Sequence, residues 1–214
     1  MKKQSALQRE LFPSCKALPG VEALLEQMGG LQERGELELA LATSSHAGNF
    51  KLKTAHLGAL FSVFREENRV LGDDKRIPAG RGKPAPDIYL LALSTINDRR
   101  KGNGLDEIRP EECLVFEDSV PGVESGRRAG MQCVWCPHPG LKQEFRGREA
   151  QVLAGLMGEY EEEEVEEKDG KLGGTASDGS QRKKGAPPGE IGDGWAVQLE
   201  TLEDFPYERF GIET

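Results

Sequence analysis

The sequence predicts an α/β fold in which a parallel β-sheet carries helices on both faces. Short apolar runs, typical of buried strands, alternate with longer segments of helical periodicity between residues 19 and 141. One of these runs, Leu114–Phe116, ends abruptly in the adjacent carboxylates Glu117 and Asp118. Because ligands bind at the carboxyl edge of the strands in open α/β sheets, these acids predict a functional site at that edge.

The first half of the chain alternates helix and strand around glycine-rich and hydroxyl-rich breaks. The run Thr43-Ser44-Ser45-His46 is suited to capping the helix that follows it. The elements predicted here are a helix over Pro19–Met28 that Gly29-Gly30 ends, a strand over Leu37–Ala42, a helix to about Leu57, and a short extended pair formed by Phe61–Phe64 and Arg69–Gly72.

In the second half, proline in a first helical turn and glycine after a last turn mark the helices. The elements predicted here, after a glycine-rich loop over Pro78–Gly82, are a helix that begins within Pro84–Asp87 and continues through Leu93, a loop over Asn97–Glu112, a strand over Cys113–Phe116, a helix over Val120–Ala129 that Gly130 ends, and a strand over Met131–Cys136.

Beyond this region the composition changes, which predicts four segments. Residues 19–141 form the α/β core, and residues 1–18 precede it as a connection. Residues 142–194 are predicted to be a flexible insertion, first acidic (Glu159–Asp169) and then rich in Gly, Ser, Lys and Pro, because they carry too little apolar surface to order themselves. Residues 195–214 return to the core with a strand over Trp195–Leu199 and a helix or turn over Leu202–Phe210.

The composition limits which binding partners and which cellular compartment we expect. The 214-residue chain has a net charge of −9, which argues against a nucleic-acid partner because phosphate backbones need a basic surface. We expect a cytoplasmic protein without a membrane partner, because no apolar run reaches bilayer length and the basic amino terminus lacks an apolar signal region. Four cysteines, at positions 15, 113, 133 and 136, lie in or beside apolar segments, which indicates a reducing compartment.

Three polar sites follow strands or precede helices in order along the chain. They are Thr43-Ser44, then Lys83 in Gly82–Asp87, then Glu117-Asp118. Together they resemble motifs two, three and four of the haloacid dehalogenase-like (HAD) phosphatases. The stretches LALATSSH, LGDD, GKPAPDIYL, LVFEDSVPGVESGRRAGM and LETLEDFPYERFGI are similar to the branch with pseudouridine-monophosphate phosphatase, glycerol-phosphate phosphatase and β-phosphoglucomutase-like enzymes.

The resemblance implies a Rossmann-like core that hydrolyses small phosphomonoesters with Mg²⁺ as cofactor. Thr43 would bind the phosphoryl group through its hydroxyl, and Ser44 through its backbone N–H at a helix N-terminus. Lys83 would place a positive charge beside the phosphate. Negative charge builds on the phosphoryl oxygens during the reaction, so the groups that stabilise it must already point at them. Asp118, assisted by Glu117, would hold Mg²⁺. The implied partner is a small phosphorylated metabolite: a sugar, polyol or nucleotide-like phosphate, with phosphomutase transfer as an open alternative.

The family's first motif is absent from the sequence. That motif, Asp-x-Asp-x-Thr at the end of an apolar strand, supplies the aspartate nucleophile, and only 18 residues precede Pro19. The resemblance therefore predicts a core that lacks its first strand and most of its cap, with residues 1–18 a remnant of the cap-to-core connection. Because losing a nucleophile costs on the order of 10⁶ in rate, we expect the chain alone to be inactive.

Each motif also has a simpler interpretation. Glu117 and Asp118 are also compatible with solvated strand-end acids, Lys83 with a surface lysine, and Thr43-Ser44 with a helix cap alone.

A different class of function, a non-catalytic interaction or scaffold protein, is suggested by the acidic block and the basic Arg182-Lys183-Lys184 that follows it. The Cys133-Val134-Trp135-Cys136 run lies in a strand pattern, which favours packing cysteines over a redox pair.

Overall fold

A computed structural model of the chain describes residues 10–158 and 190–214, and it shows two parallel β-sheets packed with helices. The first sheet pairs β1 (Leu41–Ala42) with β2 (Arg69–Val70). The second has the order β3 (Leu114–Glu117), β4 (Gln132–Trp135) and β5 (Ala196–Gln198). Both neighbours of β4 run parallel to it, so the α/β class with parallel strands is confirmed.

The helices lie between the strands in chain order. They are α1 (Val21–Glu33), α2 (Ala47–Thr54), α3 (Gly58–Phe61), α4 (Asp87–Gly102), α5 (Val120–Arg128), α6 (Pro139–Glu144) and α7 (Glu149–Ala154). Short 3₁₀ turns occur at Phe12–Ser14, Ala55–Leu57, Glu66–Asn68, Pro110–Glu112 and Tyr207–Phe210. No helix in these described parts of the chain is long and apolar enough to cross a membrane.

Two apolar clusters cover the opposite faces of the strands. Alternate residues of β4 divide between them: Cys133 and Trp135 join one cluster, whereas Val134 joins the other. The first cluster contains Ile88 of α4, and the second contains Leu24 of α1. Because successive side chains of a strand point to opposite faces, this division confirms that helices pack on both faces.

Helix α1 is longer than predicted. It does not end at Gly29-Gly30 but continues to Glu33, and Leu31 in the added turn is only 1% exposed. A Cβ atom at Gly29 would lie 2.9 Å from Cγ2 of Val63, so the glycine lets the helix approach a neighbouring segment closely. Burial of the added turn therefore outweighs the low helix propensity of two glycines.

The predicted extended pair over Phe61–Phe64 and Arg69–Gly72 is wrong. Phe61 is the last residue of α3 and its ring packs edge-on against Phe50, with centroids 5.6 Å apart. The strand partner of Arg69–Val70 is β1 rather than the preceding phenylalanine run. A short apolar run does not distinguish a strand from a packed helical turn by its pattern alone.

The predicted strand over Leu37–Ala42 is paired only at its last two residues. Upstream, side chains replace the strand ladder: Gln32 Oε1 accepts the Leu39 N–H at 3.1 Å, and Asn68 Nδ2 donates to the Leu39 carbonyl at 2.9 Å. Both side chains are buried, at 9% and 0% exposure. Because the peptide groups of Leu39 are satisfied in this way, the segment needs no strand partner there.

The predicted loop over Asn97–Glu112 begins too early, because α4 continues to Gly102. Asn97 holds the chain that follows the helix, since its amide donates to the Ile108 carbonyl and accepts the Ile108 N–H, each at 2.8 Å. These two hydrogen bonds to a segment beyond the helix stabilise an asparagine inside it, although asparagine is typical of turns.

The packed region also extends past residue 142, where the sequence places the start of the flexible insertion. Residue 142 lies inside α6, and α7 follows with Val152 only 1% exposed. Residues 142–158 are therefore ordered, contrary to that expectation, because burial of a few apolar side chains is enough to anchor a short helix. The acidic block Glu159–Asp169 and most of Gly170–Gly194 lie outside the described residues, as do residues 1–9.

Candidate active site

The ammonium group of Lys83 lies where β1 and β3 both end. Its Nζ pairs with Glu117 Oε1, donates to the Ala42 carbonyl at 3.2 Å and donates to the Tyr89 hydroxyl at 2.9 Å. The side chains of Lys83 and Glu117 are only 8% and 7% exposed. The structure thus brings two predicted site residues from different motifs into one buried ion pair, in which low dielectric strengthens the attraction.

Both carboxylate oxygens of Glu117 are engaged. The Tyr89 hydroxyl also donates to Oε1, while Oε2 accepts from the Ser119 hydroxyl at 2.9 Å and from the Ser119 N–H at 3.3 Å. Ser119 caps α5, because its hydroxyl accepts the Gly122 N–H at 3.2 Å. Burial, and then the charge of Glu117, raises the pKa of Tyr89 well above its ordinary value, so its phenol stays a proton donor.

Gly122 leaves the space that the Glu117 carboxylate fills. A Cβ atom built on Gly122 would overlap the carboxyl carbon and both oxygens of Glu117. The first turn of α5 therefore needs glycine because the Glu117 carboxylate packs directly against its Cα atom, and not because the backbone takes an unusual conformation there. No local signal in the sequence marks Gly122 or Tyr89 as part of the site, because the helical pattern of α4 marks Tyr89 only as another apolar position.

Thr43 and Ser44 follow β1 directly. The Thr43 N–H donates to the Val70 carbonyl at 3.0 Å, which continues the strand ladder, and the Thr43 hydroxyl accepts the Ser45 N–H at 3.2 Å. A Cβ atom at Gly72 would overlap the Ser44 carbonyl, so the loop after β2 packs tightly against this turn. Ser44 itself is exposed.

The prediction that this hydroxyl-rich run caps α2 is wrong. His46 occupies the cap position without a side-chain hydrogen bond, and the acceptor comes from Asp73, whose carboxylate oxygens lie 3.0 and 3.2 Å from the Ala47 N–H. A carboxylate suits a helix N-terminus because its charge complements the free amides there. The sequence gives no signal for this contact, which joins residues 26 positions apart.

A cavity of about 470 Å³ opens beside these residues. Its lining includes Ser44 from the end of β1 and Lys83 from the loop before α4. It also includes two acids, but Asp73 caps α2 and Asp74 pairs with Arg76 at 2.7 Å. Two of the residues predicted to bind phosphate therefore share one cavity, and both acids on its wall already have partners.

The donors present do not by themselves fit Mg²⁺. Mg²⁺ prefers six oxygen ligands in octahedral geometry. Both oxygens of Glu117 are occupied by protein donors, and the described residues contain no group of three His, Cys, Asp or Glu side chains able to hold a metal ion. Asp118 is exposed, and its backbone carbonyl accepts the Trp135 indole N–H at 3.2 Å. Metal binding by Asp118 and Glu117 stays a prediction.

Parallel strands whose carboxyl ends present a buried lysine, a hydroxyl-rich turn and an acid pair are typical of phosphoryl-handling α/β enzymes. A family model described as haloacid dehalogenase-like hydrolase matches residues 7–130, which is more than half of the chain. The chain therefore belongs to the HAD-like hydrolases, and the resemblance of its motifs to that family is confirmed.

Curated relatives are named as phosphatases. The chain is 40% identical over 150 residues to a probable pseudouridine-5'-phosphatase of Saccharomyces cerevisiae, covering 70% of this chain and 59% of the relative. It is 39% identical over 156 residues to a probable pseudouridine-5'-phosphatase of Drosophila melanogaster, covering 72% and 61%. It is 35% identical over 157 residues to (DL)-glycerol-3-phosphatase 1, mitochondrial, of Arabidopsis thaliana, covering 73% and 47%. The chain thus matches about half to three fifths of each relative.

Proposed function

We propose that the chain forms the phosphate-binding part of a phosphatase site for small phosphomonoesters, such as sugar, polyol or nucleotide-like phosphates. The observation that carries the proposal is the cavity that Ser44, just after the carboxyl end of β1, shares with Lys83, whose ammonium donates to the Ala42 carbonyl at the end of that strand. The similarity to a probable pseudouridine-5'-phosphatase and to a (DL)-glycerol-3-phosphatase supports a small phosphorylated substrate.

The proposed roles follow from the donors that face this edge. Lys83 places its ammonium on a phosphoryl oxygen, and Thr43 and Ser44 contribute a hydroxyl and a backbone N–H. Tyr89 and Glu117 position Lys83, because both contact its Nζ. The family resemblance implies a Mg²⁺ requirement, but the described residues alone do not complete a magnesium site.

Turnover needs a nucleophile that the sequence does not supply in the family's pattern, since Asp-x-Asp-x-Thr occurs nowhere in its 214 residues. We therefore expect the chain to bind phosphate and to release none from a phosphomonoester. Binding and turnover are separable by experiment, because binding needs only the preorganised donors.

The test is inorganic phosphate binding to the full chain by calorimetry, followed by phosphate release from p-nitrophenyl phosphate with and without Mg²⁺. We expect Lys83→Gln to weaken phosphate binding about tenfold or more, equal to about 1.4 kcal/mol. The matched control is Lys75→Gln, since Lys75 is an exposed lysine on the same cavity and its loss should change affinity less than about threefold. Equal effects of the two substitutions, or no phosphate binding, would overturn the proposal.

A further inference from the structure

The polar groups of Ser45 hold the turn after β1 at three points. Its N–H donates to the Thr43 hydroxyl at 3.2 Å, and its carbonyl accepts the Gly72 N–H at 3.1 Å. Its hydroxyl accepts a hydrogen bond from Nζ of Lys53 at 3.0 Å. Ser45 is therefore tied to the end of β1, to the loop after β2 and to helix α2.

The direction of two of these bonds decides where the hydroxyl protons point. An ammonium group only donates, so the Ser45 hydroxyl is the acceptor in its bond with Lys53. The Thr43 hydroxyl is likewise the acceptor of the Ser45 N–H, so its own proton points away from Ser45. That proton stays available for a phosphoryl oxygen, which is the role that the proposed function gives to Thr43.

Lys53 reaches Ser45 from the far end of α2. It lies in the last turn of this helix, eight positions after Ser45. Side chains of a helix tilt toward its N-terminus, so a long lysine side chain can extend back over the preceding turn. A lysine that only complements the helix dipole keeps its ammonium beside the last carbonyls. The Lys53 ammonium contacts instead a hydroxyl that precedes the helix.

The amino-terminal segment contacts the same ammonium group. Nζ of Lys53 lies 4.6 Å from the centroid of the Phe12 ring, which is within the range of a cation–π interaction. His56, in the turn after α2, holds this segment, because its Nε2 lies 2.6 Å from the Cys15 carbonyl oxygen. Lys53 and Phe12 are both half-buried, and partial removal from water strengthens the attraction between the charge and the ring.

These contacts connect the amino-terminal segment to the turn after β1. We propose that Lys53 is a positioning residue: held by the ring of Phe12, it fixes Ser45 and, through Ser45, the hydroxyl of Thr43 that binds phosphate. Lys53 is not among the residues that line the cavity of about 470 Å³, so it acts through Ser45 rather than on the ligand. This inference rests on the proposed function, because it takes phosphate as the ligand of the turn.

The first test measures the binding of inorganic phosphate to the full chain by calorimetry. Lys53→Met should weaken binding about fivefold, because the turn loses a charge-assisted hydrogen bond. Lys51→Met is the matched control: it removes the same charge from an exposed position of α2, and should change affinity less than about twofold. Lys53→Arg keeps a cationic donor and should restore most of the affinity.

A double-mutant cycle distinguishes positioning from a general effect of charge. In the Ser45→Ala background, Lys53→Met should change phosphate affinity less than about twofold, because the hydroxyl through which Lys53 acts is already gone. An equal loss in both backgrounds would show that the lysine acts by its charge at a distance, and would overturn the proposal.

Hydrogen exchange of the Ser45 amide, measured by NMR without phosphate, gives a readout that does not depend on the ligand. Lys53→Met should speed this exchange about threefold or more, because the Ser45 N–H is then held less firmly on Thr43. Lys51→Met should leave it unchanged. Equal effects of the two lysine substitutions on this amide would overturn the positioning role, whereas a parent chain that binds no phosphate would overturn the proposed function.

Two substitutions of Phe12 test the other end of the contact. Phe12→Leu keeps an apolar side chain but removes the ring, and should weaken phosphate binding about twofold or more. Phe12→Tyr keeps the ring face and should retain the affinity of the parent chain. If Lys53→Met does not fold, this pair decides the question, and equal affinities of the two Phe12 variants would overturn the proposal.

Discussion

Lys83 and Glu117 form a buried ion pair across the carboxyl ends of two strands that share no ladder. The pair joins the loop before α4 to the end of β3, and Tyr89 contacts both members. Glu117 thus acts in this structure as the counter-ion of a lysine, in addition to its predicted place at a metal site. Neutralising one member of a buried pair leaves the other without compensation.

We therefore expect Glu117→Gln to lower the free energy of unfolding by about 3 kcal/mol, because the Lys83 ammonium stays buried. Lys83→Met should cost a similar amount by leaving the carboxylate unpaired. The double variant should be more stable than the sum of the two losses predicts, which urea denaturation of all four proteins measures as a coupling energy. Additive losses would show that the pair contributes no interaction.

Gly122→Ala should destabilise the chain by about 1–3 kcal/mol, because the new methyl group takes the space of the Glu117 carboxylate. Gly48 is the matched control, since it also lies in the first turn of a helix but has no atom within 4 Å of a built Cβ. Gly48→Ala should be neutral or stabilising by up to about 1 kcal/mol. Thermal unfolding of both variants gives the comparison, and equal shifts would contradict the close contact.

Arg127 and Asp193 form a second buried pair, joining α5 to the segment before β5. Burial by itself raises the pKa of Asp193, but hydrogen bonds from Arg127 and from the Trp195 N–H outweigh it and lower this pKa below its ordinary value. The folded state therefore gains stability from the ionised carboxylate above the unfolded pKa of about 3.9, and loses it as pH falls through the folded pKa.

Asp193→Asn should cost about 3 kcal/mol at pH 7, because the Arg127 side chain is fully buried. The difference from the parent chain should shrink as pH falls below about 4, where the parent carboxylate also becomes neutral. Glu112→Gln is the control, since it breaks an exposed pair with Arg109 and should have no measurable effect at either pH. Denaturation curves at several pH values measure this, and a constant difference would contradict the assigned charge.

Thiol labelling should distinguish the cysteines. Burial raises the pKa of Cys133 to about 12, and burial likewise raises the pKa of Cys113 to about 12. Because the thiolate is the reactive form, we expect iodoacetamide at pH 8 to label the exposed Cys15 first and Cys133 only in denaturant. Cys15→Ser should remove the fast phase counted by mass spectrometry. Equally fast labelling of Cys133 would contradict its packing role.

Much of the α/β core followed from local patterns. The strand that ends at Glu117 and the helix after it were correctly placed to within about a residue, because a short apolar run and a terminal glycine are local signals. The predictions over Gly29-Gly30, Phe61–Phe64 and Asn97–Glu112 were wrong because partners distant in sequence override local propensity there.

The sequence by itself determined the parallel α/β class, the family, and the positions of Thr43-Ser44, Lys83 and Glu117-Asp118 at strand or helix ends. Only the tertiary structure decided which of these side chains meet. It pairs Lys83 with Glu117, gives the cap of α2 to Asp73, and separates β1 from β3. The physical reason is that hydrogen-bond and charge partners are chosen by packing between segments, which periodicity and spacing along one chain do not encode.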